Sequence, residues 1–177
     1  MQRFQGANGP TINTVLFSPT EHLPLEIVQR FECGDDVWAS LAAEWIKNAP
    51  PFASAAKSIT DHGTKVWLHK LDDCLVGFSS LGKNRWNVPP PEGPLQHIGY
   101  VPMVAVNAAF QGKSDGNRKY SHIIIDHIIA EARQSYSKLG LLVNPENVTA
   151  MKLYETFGFI NCGSYKNGQI AMMLDLT

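Results

Sequence analysis

The stretch IGYVPMVAVNAAFQGKSDGNRKYSHIII, residues 98–125, decides the fold of this 177-residue chain. Its first part, residues 98–106, is apolar nearly throughout, which predicts a strand buried on both faces. A basic loop with two glycines follows, and Ile123, Ile124 and Ile128 then mark one face of a helix. A buried strand that leads through such a loop into a helix favours anion binding, because the first amides of a helix have no partner within it.

Regular patterns continue on both sides of this stretch. Further strands are predicted at residues 65–69, 75–81, 141–143, 159–165 and 169–174. Helices are predicted at residues 37–49, from the basic loop to Gly140, and from Asn144 to Gly158. Asn167 and Gly168 predict a hairpin turn between the last two strands. Because strands alternate with helices only in the middle of the chain, the order indicates a mixed α/β (α+β) fold.

Composition limits the class of protein. Hydrophobic residues make up 44% of the chain and charged residues 18%, so it can bury a core, and its length suits one domain over residues 1–177. The net charge of −1 provides no overall attraction to nucleic acid. The three cysteines lie far apart, so we expect no metal site. The first residues lack the apolar region of a signal peptide, and no apolar run approaches the ~20 residues that span a bilayer. We therefore expect a cytoplasmic protein with no membrane partner.

A second motif, NPENVTAMKLYETFGF at residues 144–159, places Asn147 and Tyr154 seven residues apart. Seven residues nearly complete two helical turns, so both side chains share one face with the small Ala150 between them, where a ligand has room. Two interpretations are open for these side chains. They are either ligand contacts, or a capping Asn and a core aromatic.

Together, VAV-x4-QG, the basic loop and N-x2-A-x3-Y-E-x2-GF resemble the acyl-CoA-binding core of the GNAT superfamily of N-acetyltransferases, over residues 98–165. The segment FECGDDVWASLAAEWI, residues 31–46, resembles more loosely a branch that includes toxin-antitoxin acetyltransferases. The resemblance implies a single acetyltransferase domain. It also implies a mixed, mostly antiparallel central sheet of about six to seven strands, flanked by helices, with splayed central parallel strands.

The resemblance also implies the site residues, with acetyl-CoA as co-substrate. The pantetheine arm would fill the splay between Val104–Val106 and residues 141–143, and Asn147 would contact it. Tyr154 would be the catalytic residue, beside the thioester sulfur, and the N–H of Val106 or a neighbour would polarise the carbonyl. The whole implied acetyl-CoA-binding set is Val104, Ala105, Val106, Gln111, Gly112, Lys113, Gly116, Asn117, Arg118, Lys119, Tyr120, Ser121, Asn147 and Tyr154.

Two registers of the phosphate loop fit the family pattern. Without a gap, residues 111–116 form the loop and Ser114 and Asp115 lie near the pyrophosphate. Counting back three residues from the buried Ile124 instead makes Ser121 the small residue of the motif. This second register, which we prefer because it follows the core periodicity, predicts an insertion at residues 112–116. The helix then begins between residues 119 and 121, and the amides of residues 118–121 hold the pyrophosphate.

The function that the resemblance implies is direct transfer of an acetyl group from acetyl-CoA to a primary amine on a small molecule or protein. One alternative is a toxin-type enzyme that acetylates aminoacyl-tRNA, and another is a non-catalytic acyl-CoA-binding module. His97, Glu44 and Tyr100 are all open as the general base. Homodimers are common in the family, and the oligomeric state of this chain is open as well.

Overall fold

The computed structural model describes residues 2–3, 12–17, 65–72, 74–88, 90 and 92–177. The predicted helix at 37–49, the 31–46 segment and Glu44 lie outside the described residues. Among the described helices, none is both long enough and apolar enough to cross a bilayer.

Within the described part of the chain, nine strands form one sheet. The strands of this sheet are β1 (Gln2–Arg3), β2 (Asn13–Phe17), β3 (Lys65–Leu71), β4 (Cys74–Asn87), β5 (Leu95–Val101), β6 (Val104–Val106), β9 (Lys138–Val143), β10 (Ile160–Ser164) and β11 (Ile170–Asp175). Between β6 and β9 in the chain, β7 (Ser114–Asp115) and β8 (Arg118–Lys119) form a separate hairpin. Across the sheet the order is β1-β2-β3-β4-β5-β9-β11-β10, and β6 also pairs with β4. All pairs are antiparallel except β5 with β9, so the predicted mixed, mostly antiparallel sheet is confirmed.

Two α-helices follow the central strands, α1 (Tyr120–Arg133) and α2 (Val148–Thr156). Ile124, Ile128 and neighbouring apolar residues of α1 are buried against the sheet, as their spacing predicts. The prediction that Gly140 ends this helix is wrong, because α1 ends at Arg133 and Gly140 lies within β9. A Cβ on Gly140 would lie 2.9 Å from the Trp86 ring, so glycine is needed there for close packing and not for a helix stop.

The predicted continuous strand at residues 98–106 is interrupted at Pro102 and Met103. Pro102 has no N–H to donate to a ladder. Met103 turns to Ser80 on β4: the Met103 N–H donates to Ser80 Oγ at 2.9 Å, and the Ser80 hydroxyl donates to the Met103 carbonyl at 2.8 Å. Before the break β5 pairs with β9, whereas after it β6 pairs with β4 among the described strands. A gap therefore opens between β6 and β9, as the splayed-strand prediction requires.

The terminal hairpin is also confirmed. β10 and β11 pair antiparallel, with a short 3-10 turn at Lys166–Gly168 between them. Asn167 and Gly168 both have positive φ, at 60° and 73°. These are the two residue types that accept the left-handed conformation most readily, which is why the dipeptide predicts the turn.

Candidate active site

A cleft of about 610 Å³ lies beside β6, and its lining contains no described residue of β9. Its walls are β6, the N-terminus of α1 and one face of α2. The residues that line it are Val104, Ala105, Val106, Gln111, Gly112, Lys119, Ser121, His122, Ile125, Asn147, Thr149, Ala150, Lys152, Leu153, Tyr154 and Thr156. None of these described cleft residues is acidic, whereas two are lysines, so the cleft suits an anionic ligand.

The β6 wall presents backbone groups that have no hydrogen-bond partner among the described residues. The Asn107 N–H donates to the Val76 carbonyl at 2.8 Å, and the Ser80 N–H donates to the Met103 carbonyl at 3.0 Å. Because hydrogen-bonded positions alternate along an antiparallel pair, the backbone groups of Ala105 face β4, and those of Val104 and Val106 face the gap. The Val106 carbonyl accepts a hydrogen bond from Gln111 Nε2 at 3.0 Å. The N–H of Val106 and both backbone groups of Val104 are thus exposed for an extended ligand.

Close contact with β4 holds β6 in place. A Cβ added to Gly77 of β4 would lie 2.4 Å from the Ala105 carbonyl oxygen. Real Cβ atoms do not come this near to a backbone oxygen, so β6 lies where it does because position 77 has no side chain.

The loop before α1 forms a hairpin that overlaps the residues of the predicted insertion, 112–116. Residues 114–119 form the β7–β8 hairpin, in which Asp115 pairs with Arg118 around Gly116 and Asn117. Gly116 has φ of 55°, which suits the first position of a two-residue hairpin turn. The helix begins at Tyr120, inside the predicted window of residues 119 to 121. The tip of the hairpin does not line the cleft.

The first turn of α1 is open toward the cleft. Its N-cap residue, Lys119, makes no side-chain cap, and the Tyr120 N–H donates to the Lys113 carbonyl at 3.2 Å. The next two amides, of Ser121 and His122, lie where the helix itself supplies no acceptor. These amides and the helix dipole therefore provide a site for a phosphate group.

The structure places four of the nine implied loop residues at the cleft: Gln111, Gly112, Lys119 and Ser121. It places the other five, Lys113, Gly116, Asn117, Arg118 and Tyr120, outside the cleft lining. The physical reasons differ. Gly116 and Asn117 form the hairpin turn. The Lys113 carbonyl accepts a hydrogen bond from the Tyr120 N–H. Arg118 makes an ion pair with Asp126. The ring of Tyr120 is buried edge-on against Phe110, with 5.5 Å between ring centroids.

The α2 wall carries the second motif. Asn147 is the N-cap of α2, and its Oδ1 accepts a hydrogen bond from the Ala150 N–H at 3.2 Å. Because the capping bond uses only Oδ1, the side-chain amide keeps its N–H donors for a ligand in the cleft. The Asn147 side chain therefore both caps α2 and lines the cleft.

Tyr154 is both a core aromatic and a cleft residue. Its side chain is 8% exposed, and its ring packs against Phe159 with 5.7 Å between ring centroids. Burial raises the pKa of Tyr154 to about 12, so the hydroxyl is protonated throughout the neutral range. It makes no hydrogen bond to any described residue and is thus available as a donor in the cleft.

Several cleft residues were not among the implied site residues: His122, Ile125, Thr149, Lys152, Leu153 and Thr156. Helical periodicity points to Ala150, which also lines the cleft, but not to Thr149 and Thr156, which lie about 200° around the helix from Asn147 and Tyr154. His122 had no such signal, since its position depends on where α1 begins. Of the open base candidates, the His97 side chain is exposed on β5, and Tyr100 packs against Trp86 with 5.7 Å between ring centroids. Neither lines the cleft.

Comparison with known proteins gives a family and a fold. Residues 32–173 match the family model described as an acetyltransferase (GNAT) domain. No curated protein matches the chain significantly in sequence.

Several solved structures are similar to this chain. The ribosomal-protein-S18-alanine N-acetyltransferase from Escherichia coli has 14% identity and a TM-score of 0.58, over 93% of this chain and 95% of that one. A mutant AtaT toxin bound to the C-terminus of the antitoxin AtaR and acetyl-CoA has 12% identity and a TM-score of 0.59, over 93% of each chain. A chain of the NatC complex bound to Gag peptide and CoA has 18% identity and a TM-score of 0.55, over 93% of this chain and 99% of that one.

Proposed function

The chain belongs to the GNAT acetyltransferase family, and on that premise we propose that it transfers an acetyl group from acetyl-CoA directly to a primary amine of a small molecule or protein. The observation that carries the proposal is the cleft at the splay, where the outward backbone of β6 lies across from Asn147 and Tyr154. The solved neighbours that hold acetyl-CoA or CoA support the choice of donor.

The cleft residues fit acetyl-CoA group by group. The outward backbone groups of Val104 would pair with the pantetheine amides, as a strand edge pairs with an added strand, which leaves the Val106 N–H for the thioester carbonyl. The amide donors of Asn147 would contact the same arm from the opposite wall. The amides of Ser121 and His122, together with the Lys119 ammonium, would hold the phosphates.

In the proposed reaction, the amine nitrogen attacks the thioester carbonyl, the new C–N bond forms, and the C–S bond breaks. The Val106 N–H would stabilise the negative charge that develops on the carbonyl oxygen. The attacking nitrogen loses one proton to a base or to water, and the sulfur leaves as a thiolate.

The high pKa of Tyr154 determines what its hydroxyl can do for the departing sulfur. A thiol has a pKa near ~8.5, well below the value of about 12 for Tyr154, so complete proton transfer to the thiolate is uphill. A hydrogen bond from the neutral hydroxyl to the developing thiolate is the favourable contribution, because bonds to charged acceptors are the stronger ones. Tyr154 would therefore stabilise the leaving group mainly as a hydrogen-bond donor.

Calorimetry with acetyl-CoA, followed by thiol release with a panel of amines, tests the proposal. We expect saturable binding, and thiol release that requires both acetyl-CoA and an amine. Binding without turnover on any amine would favour the non-catalytic module instead. Arrest of growth on expression, with acetylation of aminoacyl-tRNA, would favour the toxin-type alternative. Absence of acetyl-CoA binding would refute the proposed function as a whole.

A further inference from the structure

His122 occupies a special position in the cleft. It is the third residue of α1, two residues after the first residue of the helix, and its side chain lines the cleft. Its ring contacts the ring of Phe157, the C-cap residue of α2, with 5.3 Å between centroids and 61° between planes. The ring is half-buried and is held at the junction between the first turn of α1 and the end of α2.

The charges around His122 are almost all positive. Lys119 of β8 and Lys152 of α2 line the same cleft, and Arg118 of β8 also acts on the ring. On its own helix, the carboxylate one turn further on is Asp126, which is paired with Arg118. Tyr154, the remaining titratable group at the cleft, is neutral in the same pH range. Burial, and then Lys119 and Arg118, lower the pKa of His122.

We propose that His122 binds a phosphate group of CoA as an imidazolium and takes up its proton when the ligand binds, which rests on the proposed function. The geometry places His122 in the first turn of α1, on the wall of a cleft that Lys119 and Lys152 also line. This is the part of the cleft where a phosphate group has the most donors within reach.

Proton uptake follows from the change in local charge. Without ligand, burial and then Lys119 and Arg118 disfavour the charged imidazolium, so the imidazole is mainly neutral near pH ~7. A phosphate group in the cleft reverses the sign of the local field, and a charge-assisted hydrogen bond to its oxygen favours the imidazolium. By linkage, the affinity for the ligand then rises as the pH falls through this range.

The structure does not distinguish the pyrophosphate from the 3′-phosphate of CoA, since both carry the same chemistry. Dephospho-CoA, which lacks the 3′-phosphate, distinguishes them. The comparison with dephospho-CoA also separates a second titration, that of the 3′-phosphate itself. A phosphate monoester has a pKa near ~6 and loses a proton on entering a cationic site. That release has the opposite sign from the uptake by His122.

The experiment is calorimetry of acetyl-CoA and dephospho-CoA in two buffers of different ionisation enthalpy at about pH 7. The comparison of the two buffers gives the number of protons taken up on binding. For at least one ligand, we expect the wild-type protein to take up at least ~0.3 proton more than His122→Gln, which retains a hydrogen-bond donor but does not titrate. His97→Gln, which changes an exposed histidine outside the cleft, is the matched control and is expected to behave like wild type. Thermal unfolding of each variant verifies that it is folded.

Each outcome has a defined meaning. A difference between wild type and His122→Gln with both ligands assigns His122 to the pyrophosphate, and a difference with acetyl-CoA alone assigns it to the 3′-phosphate. If the two proteins take up equal numbers of protons with both ligands, the role of His122 is refuted while the proposed function stands. If acetyl-CoA does not bind to wild type, both proposals fail.

Discussion

Two buried histidines should make the protein sensitive to acid. His69 of β3 and His127 of α1 are 0% and 2% exposed, and their ring centroids lie 5.3 Å apart. His69 Nδ1 lies 3.0 Å from Thr14 Oγ1, and His69 Nε2 lies 2.8 Å from Ser79 Oγ. Burial, with the neighbouring His127, lowers the pKa of His69 to about 3, and burial lowers the pKa of His127 to about 4.

These lowered pKa values determine the direction of the effect. In the unfolded chain both histidines titrate near their ordinary pKa of 6.5, whereas in the folded protein they stay neutral to much lower pH. Below pH ~6.5 the unfolded state therefore binds more protons, and stability falls as the pH falls. Above pH ~6.5 the contribution of the two histidines to the free energy of unfolding is fully present. It decreases as the pH falls, until the folded protein itself takes up the protons.

The magnitude at about pH 5 follows from the distance below the unfolded pKa. For each group that stays neutral in the folded state, the free energy of unfolding falls by about 1.4 kcal/mol per pH unit below the unfolded pKa. Each histidine therefore lowers it by about 2 kcal/mol at about pH 5. The two together remove about 4 kcal/mol, which is a large part of the 5–15 kcal/mol of a typical domain. This estimate requires only that both folded pKa values lie below pH 5.

Urea unfolding at about pH 7.5 and about pH 5 measures the effect. In His127→Phe, which retains an aromatic ring against Trp67, we expect the loss of unfolding free energy between the two pH values to be smaller than in wild type by about 2 kcal/mol. Comparing each protein with itself at two pH values removes any constant effect of the substitution on packing. His97→Gln, at an exposed position, should lose as much as wild type. An unchanged loss in His127→Phe would refute the reasoning.

Four further substitutions test the cleft. In Tyr154→Phe we expect turnover in thiol release to fall by about 10–1000-fold. Tm should change little, because the Tyr154 hydroxyl makes no hydrogen bond to the described residues. Wild-type turnover in this variant would remove Tyr154 from the mechanism. Gly112→Ala and Gly116→Ala both place a Cβ in open space at positive φ, with similar strain of about 1–2 kcal/mol, but only Gly112 lines the cleft. Calorimetry should show weaker acetyl-CoA binding for Gly112→Ala alone, and equal weakening in both would contradict the placement. Asn147→Asp keeps an oxygen that caps the Ala150 N–H but loses the side-chain amide donors. We therefore expect an unchanged Tm and about 3–10-fold weaker acetyl-CoA binding. Unchanged affinity would exclude a contact between the Asn147 amide and acetyl-CoA.

The local elements could be predicted from the sequence, because each depends on residues that are close together along the chain. The apolar periodicity of residues 123–128 predicted the buried face of α1 and, counted backwards, where that helix begins. The Asn167-Gly168 turn followed from backbone preferences that act within a few residues, whereas α2 begins at Val148 with Asn147 as its N-cap and not at the predicted Asn144. The insertion before α1 stays a prediction, and the hairpin pairing of that loop was not predicted.

Only the tertiary structure decided the features that join distant residues. The strand at residues 98–106 breaks where Met103 bonds to Ser80, and Gly140 lies under the Trp86 ring instead of ending a helix. His122 and Lys152 meet at one cleft although thirty residues separate them in the sequence. A pKa depends on the solvent and charges that the folded chain places around a group, and periodicity along the sequence carries no record of either.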